Sequence, residues 1–422
     1  MSEGMIEKIL GSISFIDMGQ SPDSFFYNEE EIGLPLIQGN ADIKERKSIK
    51  RIWVSQPTKV CDVGDILMTV RAPVGFIGIA SFTSCIGRGV CSIKANGVDD
   101  KYLYYLLISQ EDNWRVFEQG STFTAVGSKE VFNFPLIVIS SKNEQHRIAQ
   151  ILTTTDAVIE KTQAAIAKYK AIKQGMLHDL FTRGIDPATG KLRSIYQEAP
   201  ELYKKSKLGW IPREWEVENF ENASELITDF TANGSFETLR INVKYYYEPN
   251  YARLIRLTDL RVNLKNKGVY VDKEGFEFLS KSSLKENDIM LANVGEYTGF
   301  ACLMPKVDYP ATIAPNMFLI RSNNGFNPIY MYHFMTLDTF TRQVDNVSAS
   351  SATKLLNKTN FRALYLPQPH SKEQELIGVR LQSIDNKIDS EQTYLQKLHQ
   401  IKKGLMEDLL SGKKRVIVKE DL

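Results

Sequence analysis

One stretch of this chain occurs twice at a fixed spacing, and that constrains the fold more than anything else in the sequence. Lys142-Asn143-Glu144-Gln145-His146-Arg147-Ile148 continues through Leu152, Asp156, Ile159, Gln163, Lys168, Ile172, Lys173, Gly175, Asp179 and Leu180. Lys372-Glu373-Gln374-Glu375-Leu376-Ile377 continues through Leu381, Asp385, Ile388, Gln392, Lys397, Ile401, Lys402, Gly404, Asp408 and Leu409. Glu373 minus Glu144 is 229, and Asp408 minus Asp179 is again 229. An ungapped register with this many matches marks an internal duplication.

Both copies carry a helical period. Leu152, Thr155, Ile159, Thr162, Ile166, Tyr169, Met176 and Leu180 recur in steps of three and four, with Ile172 flanking the one gap. Leu381, Ile384, Ile388, Leu395, Leu398, Leu405 and Leu409 do the same in the second copy. Apolar residues at that spacing form a coiled-coil seam, expected at Leu152, Ile159, Ile166, Tyr169, Met176, Leu180, Leu381, Ile388, Leu395, Leu398, Leu405 and Leu409. Neither copy contains proline. A helix of about 40 residues is ~60 Å long and cannot bury its stripe alone. The simplest arrangement pairs the copies antiparallel, relating two similar halves by a pseudo-twofold. Two unrelated amphipathic helices would leave the ungapped offset unexplained.

The segments before each helix run in the same order. Val63-Gly64-Asp65-Ile66-Leu67-Met68 resembles Glu286-Asn287-Asp288-Ile289-Met290-Leu291. Each leads into a glycine-containing run, then an aromatic stretch (Tyr102 to Leu107; Tyr330 to Met335), then a small-residue loop (Gly120 to Val126; Val347 to Lys354). Short β-branched runs such as Ile66 to Val70 and Gly78 to Phe82 predict strands. The expected fold is therefore mixed α/β: two globular α/β domains joined by two long antiparallel helices that form a coiled coil. The expected boundaries are a first globular domain at 1–141, a central helix at 142–183 and a Gly/Pro-containing linker at 184–208. A second globular domain follows at 209–370, then a distal helix at 371–411 and a frayed basic tail at 412–422.

Composition narrows the function classes. Lys+Arg 52 against Asp+Glu 51 leaves a net charge of +1, so any nucleic-acid surface must be local. Cys61, Cys85, Cys91 and Cys302 form no C-x-x-C pair and have no histidine at zinc spacing, which predicts reduced thiols and no metal site. The acidic start and the shortness of every apolar run predict a soluble cytoplasmic protein without a membrane span. There is no P-loop, no G-x-G-x-x-G, no H-E-x-x-H and no G-x-S-x-G. Asn327-Pro328-Ile329-Tyr330 approaches the N-P-P-Y of amino-methyltransferases, but Pro328 after Asn327 also reads as an ordinary helix start. Glu373 and Glu375 read as solvated helix faces, and flank residues such as Lys161, Lys168, Lys170, Lys387, Lys397 and Lys402 as solvated faces or as the border of a docking surface. No catalytic residue is expected.

Duplication without a catalytic constellation points to recognition. Two similar heads on a rod match the local dyad of DNA, with half-sites about one helical turn apart. Arg71, Arg88, Arg256 and Arg261 suit guanine edges or phosphates, and Gln38, Asn40, Asn293 and Asn316 suit adenine. Ser121, Thr122, Thr124, Ser350, Ser351, Thr353 and Lys354 suit phosphate positioning. Three competitors remain at this point: a reader fused into a nuclease, a double-headed protein-binding scaffold, and an adenine methyltransferase built on Asn327 to Tyr330.

The chain resembles the DNA-specificity subunit of type I restriction–modification systems. The resemblance is carried by Glu144-Gln145 through Gly175-Met176-Leu177-His178-Asp179-Leu180-Phe181-Thr182, and by Glu373-Gln374 through Lys402-Lys403-Gly404-Leu405-Met406-Glu407-Asp408-Leu409-Leu410-Ser411. Gly209-Trp210-Ile211-Pro212 with Trp215 resembles the opening of a target-recognition domain, as do the Asp65-Ile66-Leu67 and Asp288-Ile289-Met290 strands its core. The first domain lacks that Trp-containing opening. The resemblance implies that each recognition domain reads one half of a bipartite, asymmetric site on double-stranded DNA. It further implies that the coiled coil sets the spacer and docks two modification subunits, which bind S-adenosylmethionine and methylate adenine. Restriction subunits would add ATP- and Mg2+-dependent translocation and cleavage, in a prokaryotic host-defence complex. This chain itself would hold no cofactor.

Overall fold

The computed structural model describes residues 4–114, 125–262, 264–348 and 354–416. The chain forms two compact units, Met1–Ala165 with Glu391–Leu422, and Ile166–Ser390. The boundary falls inside both long helices, Lys142–Thr182 and Ser371–Leu410, so each unit holds a head and one half of each helix.

In the first unit, strands Ser14–Met18, Val90–Ala95, Ile66–Thr69, Ile77–Ile79, Lys47–Ser48 and Ile43–Lys44 form one sheet in that order. A second sheet runs Tyr27–Asn28, Trp53–Val54, Leu34–Ile37, Ser84–Ile86, Val60–Cys61. Ile66–Thr69 is buried at every position, as a central strand covered on both faces must be. It packs with the helix Asp100–Ser109, whose Tyr102 to Leu107 are all buried, and with Ile148 and Leu152 of the first long helix. In the second unit Ser224–Asp229, Met317–Ser322, Ile289–Ala292 and Ala301–Leu303 form the corresponding sheet. Val269–Val271, Ala252–Ile255 and Ala311–Ile313 form the other. The helix Pro328–Phe334 takes the place of Asp100–Ser109. Its N-cap is Asn327, whose side chain accepts from Ile329 N and Tyr330 N, with Pro328 in the first turn. That capping role uses the NPIY segment as structure.

Each head is tied to the start of a long helix by one glutamine. Gln145 donates to Ile139 O (2.6 Å) and accepts from Asp99 N (2.9 Å), and Asp99 caps Asp100–Ser109. Gln374 donates to Pro369 O (3.0 Å) and accepts from Asn327 N (2.9 Å). Both amides are buried, so their hydrogen-bonding capacity must be met internally, and it is met in the same way twice.

The neighbouring glutamates correct the expectation of solvated carboxylates. Glu144 and Glu373 are buried, at 2% and 1% relative exposure. Glu373 takes both ends of the Arg193 fork (2.5 and 3.0 Å), the Ile185 N–H (2.7 Å) and the Trp215 indole N–H (3.1 Å). Glu144 takes Arg415 Nε and NH2 (2.8 and 2.6 Å) and the Val416 N–H (3.0 Å). In each unit the arginine comes from the segment that follows the other long helix. Two further expectations change with this. Arg415 is anchored in the first unit rather than lying in a frayed tail. The stretch expected as a linker is ordered in the second unit, with Ile185 and Tyr203 buried alongside Arg193. Glu375, by contrast, is exposed.

The helices run antiparallel within each unit and carry a polar pin between them. Lys402 pairs with Asp156 (2.6 Å) in the first, and Lys173 with Asp385 in the second. Lys402 is therefore part of the helix contact and not a solvated flank. The head contributes a third member: Tyr105 donates to Asp156 (2.8 Å), and His333 Nε2 lies 3.6 Å from Asp385. Burial, with Lys173 beside it, pushes the His333 imidazole down to about 3, so it is neutral near pH 7. Of the expected seam residues, Leu152, Ile159, Ile166, Leu180, Leu381, Ile388, Leu398 and Leu409 are buried. Tyr169, Met176, Leu395 and Leu405 are half-buried. Ile172 and its counterpart Ile401 are exposed.

Removing Glu373 would leave the buried Arg193 with only the exposed Glu214 as counter-charge, so Glu373→Ala is expected to lower unfolding stability by about 3 kcal/mol, read from urea midpoints. Glu144→Ala should cost less, because Arg415 is 41% exposed. Burial pushes the Glu144 carboxyl up, but Arg415 and the Val416 N–H outweigh it and hold it below the usual carboxylate range. A lowered folded-state pKa gives stability that is present above the unfolded value and lost as pH falls through the folded one. The stability gap between wild type and Arg415→Gln should therefore be full at neutral pH and close in acid. An unchanged gap at low pH would contradict the clasp.

Candidate nucleic-acid interface

The candidate residues of the first head come together at the end of the strand Leu34–Ile37. A buried carboxylate builds the turn there: Asp42 accepts from Gln38 N (2.7 Å) and Gly39 N (3.2 Å) and pairs with Arg51 (3.1 Å). Gly87 N donates to Ile37 O (2.8 Å), which brings the Gly87-Arg88-Gly89 turn alongside Gln38. A Cβ on Gly89 would lie 2.1 Å from the Gln38 carbonyl oxygen, so only glycine permits this approach. Val70 N donates to Gly89 O (2.9 Å), and the next residue, Arg71, bridges to Ala125. Gln38, Arg71 and Arg88 thus share one edge, all exposed. Gln38 also donates to the Tyr27 hydroxyl (2.8 Å). Asn40, Gln38, Arg51 and the Ala72–Pro73 turn line a cleft of about 470 Å3.

The second head repeats this edge with other side chains. Arg256 stands where Gln38 stands, at the end of Ala252–Ile255, and Asp259 stands for Asp42. Asp259 accepts from Arg256 N (2.8 Å), Nε (3.0 Å) and NH2 (2.8 Å). Burial raises the Asp259 carboxyl, but these bonds and that of Asn266 hold it below its ordinary value. Most of the Arg256 fork is therefore committed to the fold. Asn293 N donates to Asn316 O (3.2 Å) as Val70 N does to Gly89 O, and Leu356 N donates to Asn293 O (2.9 Å) as Val126 N does to Val70 O. Asn316 takes the left-handed conformation, φ +67°, at the position Gly89 fills in the first head. Arg261 donates to the Tyr297 hydroxyl (3.0 Å) and lies over its ring, at the loop that follows Asn293. Lys354 pairs with Asp345, and its carbonyl accepts from Gly295 N (2.9 Å).

Ser121, Thr122, Thr124, Ser350, Ser351 and Thr353 lie outside the described residues. Tyr245 and Tyr247 are exposed aromatics that, with Arg256, Thr258 and Asn316, line a cleft of about 610 Å3. The run Tyr245-Tyr246-Tyr247 was the signal for them, an aromatic cluster close to basic residues. Asp42 and Asp259 carried a signal too, an aspartate four or five residues past the end of a strand. Among the described residues there is no cluster of three or more His, Cys, Asp and Glu side chains able to hold a metal, and no helix is long and apolar enough to cross a membrane.

One scaffold built twice, with different side chains at equivalent places on an exposed edge, defines a duplicated recognition protein. Comparison with known proteins agrees. The type I restriction modification DNA specificity domain matches residues 3–169 and 215–400. The putative type I restriction enzyme MjaX specificity subunit of Methanocaldococcus jannaschii is 35% identical over 169 residues, which span 40% of each chain. The MjaVIII specificity subunit of the same organism is 24% identical over 331 residues, 76% of this chain and 71% of that one. The crystal structure of the type I restriction–modification S subunit from M. genitalium shares the fold, with a TM-score of 0.63 at 16% identity over 96% of both chains. The chain belongs to the family of DNA-specificity subunits of type I restriction–modification complexes, recognition chains rather than catalysts, and carries two of its domains.

Gly89→Ala is expected to push apart the Gln38 and Arg88 loops. Recognition by the first head should fall at least about tenfold in a binding assay, a loss of ~1.4 kcal/mol, while the fold of the second unit is unchanged by circular dichroism and melting.

Proposed function

We propose that each unit reads one half of a bipartite, asymmetric site on double-stranded DNA, the first through the Gln38–Arg71–Arg88 edge and the second through the Arg256–Asn316–Arg261 edge. The observation that carries this reading is the equivalence of the two edges on one scaffold. Identical backbone hydrogen bonds hold them, so a difference in side chains becomes a difference in the bases accepted. Gln and Asn suit adenine, Arg suits guanine, and exposed cations position phosphates. The long helices set the spacer between the two half-sites.

The complex around this chain has two modification subunits that bind S-adenosylmethionine and methylate adenine. Restriction subunits use ATP and Mg2+. The chain holds no cofactor and acts in the cytoplasm of a prokaryote, in host defence. The exposed outer faces of the long helices, including Ile172 and Ile401, are where the modification subunits dock.

Methylome sequencing of a host that expresses this chain with its partner subunits tests the reading. A bipartite N6-methyladenine motif should vanish when this gene alone is deleted. Exchanging residues 209–360 for those of another such subunit should change one half of the motif and leave the other intact. An unchanged methylome with intact partner genes would overturn the reading. Arg71→Ala with Arg88→Ala should weaken DNA binding by the assembled complex and reduce its salt slope, without loss of assembly. Ile166→Asp should instead remove assembly and binding together. Binding that does not weaken as salt rises would favour the double-headed protein scaffold.

A further inference from the structure

Gln38, the reading side chain at the end of Leu34–Ile37, is not a free rotor. Its Nε2 donates to the Tyr27 hydroxyl (2.8 Å), and that hydroxyl donates to Pro22 O (3.2 Å). These two bonds run in one direction only. A backbone carbonyl can only accept, so the single Tyr27 hydroxyl proton goes to Pro22 and the oxygen can only accept from Gln38. An amide turned the other way would set its oxygen against another acceptor. The amide is therefore held with Nε2 on the tyrosine, which leaves Oε1 and the second N–H for a ligand. Tyr27 is itself fixed: it is half-buried and opens the short strand Tyr27–Asn28, paired with Trp53–Val54. The same loop holds the neighbouring reader, since Ser21 Oγ accepts from Arg88 N (3.2 Å) and Gln20 N donates to Ile86 O (2.9 Å).

The second head keeps the tyrosine and changes the orienting bond. Asn28 pairs with Trp53, which pairs with Pro35, three residues before Gln38. Tyr246 pairs with Tyr270, which pairs with Arg253, three residues before Arg256. Tyr245 therefore stands where Tyr27 stands. There the Asp259 carboxylate orients the Arg256 fork instead, and Tyr245 is left 46% exposed. Each reading side chain has one fixed partner, a hydroxyl for the amide and a carboxylate for the guanidinium.

We propose that Tyr27 is a positioning residue for sequence discrimination: it holds the Gln38 amide in the orientation that accepts adenine at one position of the first half-site. In the major groove adenine presents an N6–H donor beside the N7 acceptor, which match the outward Oε1 and N–H of Gln38. Guanine presents two acceptors there and would set its O6 against Oε1. The inference rests on the reading of this edge as a DNA contact, and adds to it the group that decides which way the amide faces.

The test is selection from a DNA library randomised in both half-sites, using the assembled complex with wild type, Tyr27→Phe, Gln38→Ala and the double variant. Wild type should require adenine at one position, and Gln38→Ala should relax that position. Tyr27→Phe removes one oxygen and keeps the ring. It should lower the adenine-to-guanine preference at the same position by about fivefold or more, the scale of one hydrogen bond. The other positions and the second half-site should be unchanged. In the Gln38→Ala background Tyr27→Phe should have no further effect. A role confined to supporting the loop would instead weaken the whole first half-site and would persist in that background. Wild type gives a second measurement that needs no variant. Replacing the adenine by 7-deazaadenine, which lacks the N7 acceptor, or by purine, which lacks the N6 amino group, should each weaken binding by about fivefold or more. The inference is overturned if Tyr27→Phe keeps the wild-type preference, if it relaxes every position alike, or if either analogue binds as adenine does. Should Gln38→Ala relax a position that Tyr27→Phe leaves intact, the edge stands and the orienting role alone falls. Should Gln38→Ala relax none, the edge is misassigned and the inference falls with it.

Discussion

A buried carboxylate at the start of each long helix obliges the rest of the chain to come to it. A lone carboxylate in an apolar core would be neutralised or would unfold its surroundings. Glu144 and Glu373 are each met by an arginine and by a backbone N–H donor, and in both units these arrive from the segment that follows the other helix. Antiparallel pairing is thereby required as well as favoured, since only that direction brings the end of one helix to the beginning of the other. The adjacent Gln145 and Gln374 extend the same constraint to the heads, linking each helix start to the cap of the aromatic helix. The position of a reading edge follows from this chain of contacts.

The polar pins along the helices act on register. Apolar seams tolerate sliding by a heptad, because one aliphatic side chain packs much like the next. A lysine and an aspartate that meet only in one alignment do not. The Lys402–Asp156 and Lys173–Asp385 pairs recur at the same step in the two units, each half-buried. The head-side member of the pin is free to change: a tyrosine donates to Asp156, and a neutral histidine sits by Asp385. A neutral partner adds no second buried charge, so the substitution does not disturb the ion pair beside it.

The duplication, the two long helices and the α/β heads were legible because periodicity and a fixed offset are properties of the sequence itself. The clasps were not. A glutamate two residues into a polar helix start looks solvated, and only the fold reveals that Arg193 and Arg415 return to it from far along the chain. Lys402 misled for the same reason, since its partner Asp156 is remote in sequence. At the recognition edge, Gln38, Arg71 and Arg88 read from the sequence are brought together. Arg256 is largely consumed by Asp259, which no pattern of residue types announces. The exposed tyrosines 245 and 247 went unread because an aromatic run signals a core strand as readily as a surface.

Divergence between the two copies follows burial. Glu144 and Glu373, Gln145 and Gln374, Tyr102 and Tyr330, Asp65 and Asp288 are buried and occupy equivalent positions with the same side chain. Replacing any of them would leave a buried donor, acceptor or cavity without a match, at about 1–3 kcal/mol or more each. Gln38 against Arg256, and Arg71 against Val294, lie on an exposed or half-buried edge, where water accepts whatever polar group is left. The energy that holds the scaffold is thus spent away from the residues that distinguish the heads. A duplicated chain of this design can alter one recognition edge while the frame that positions it stays intact.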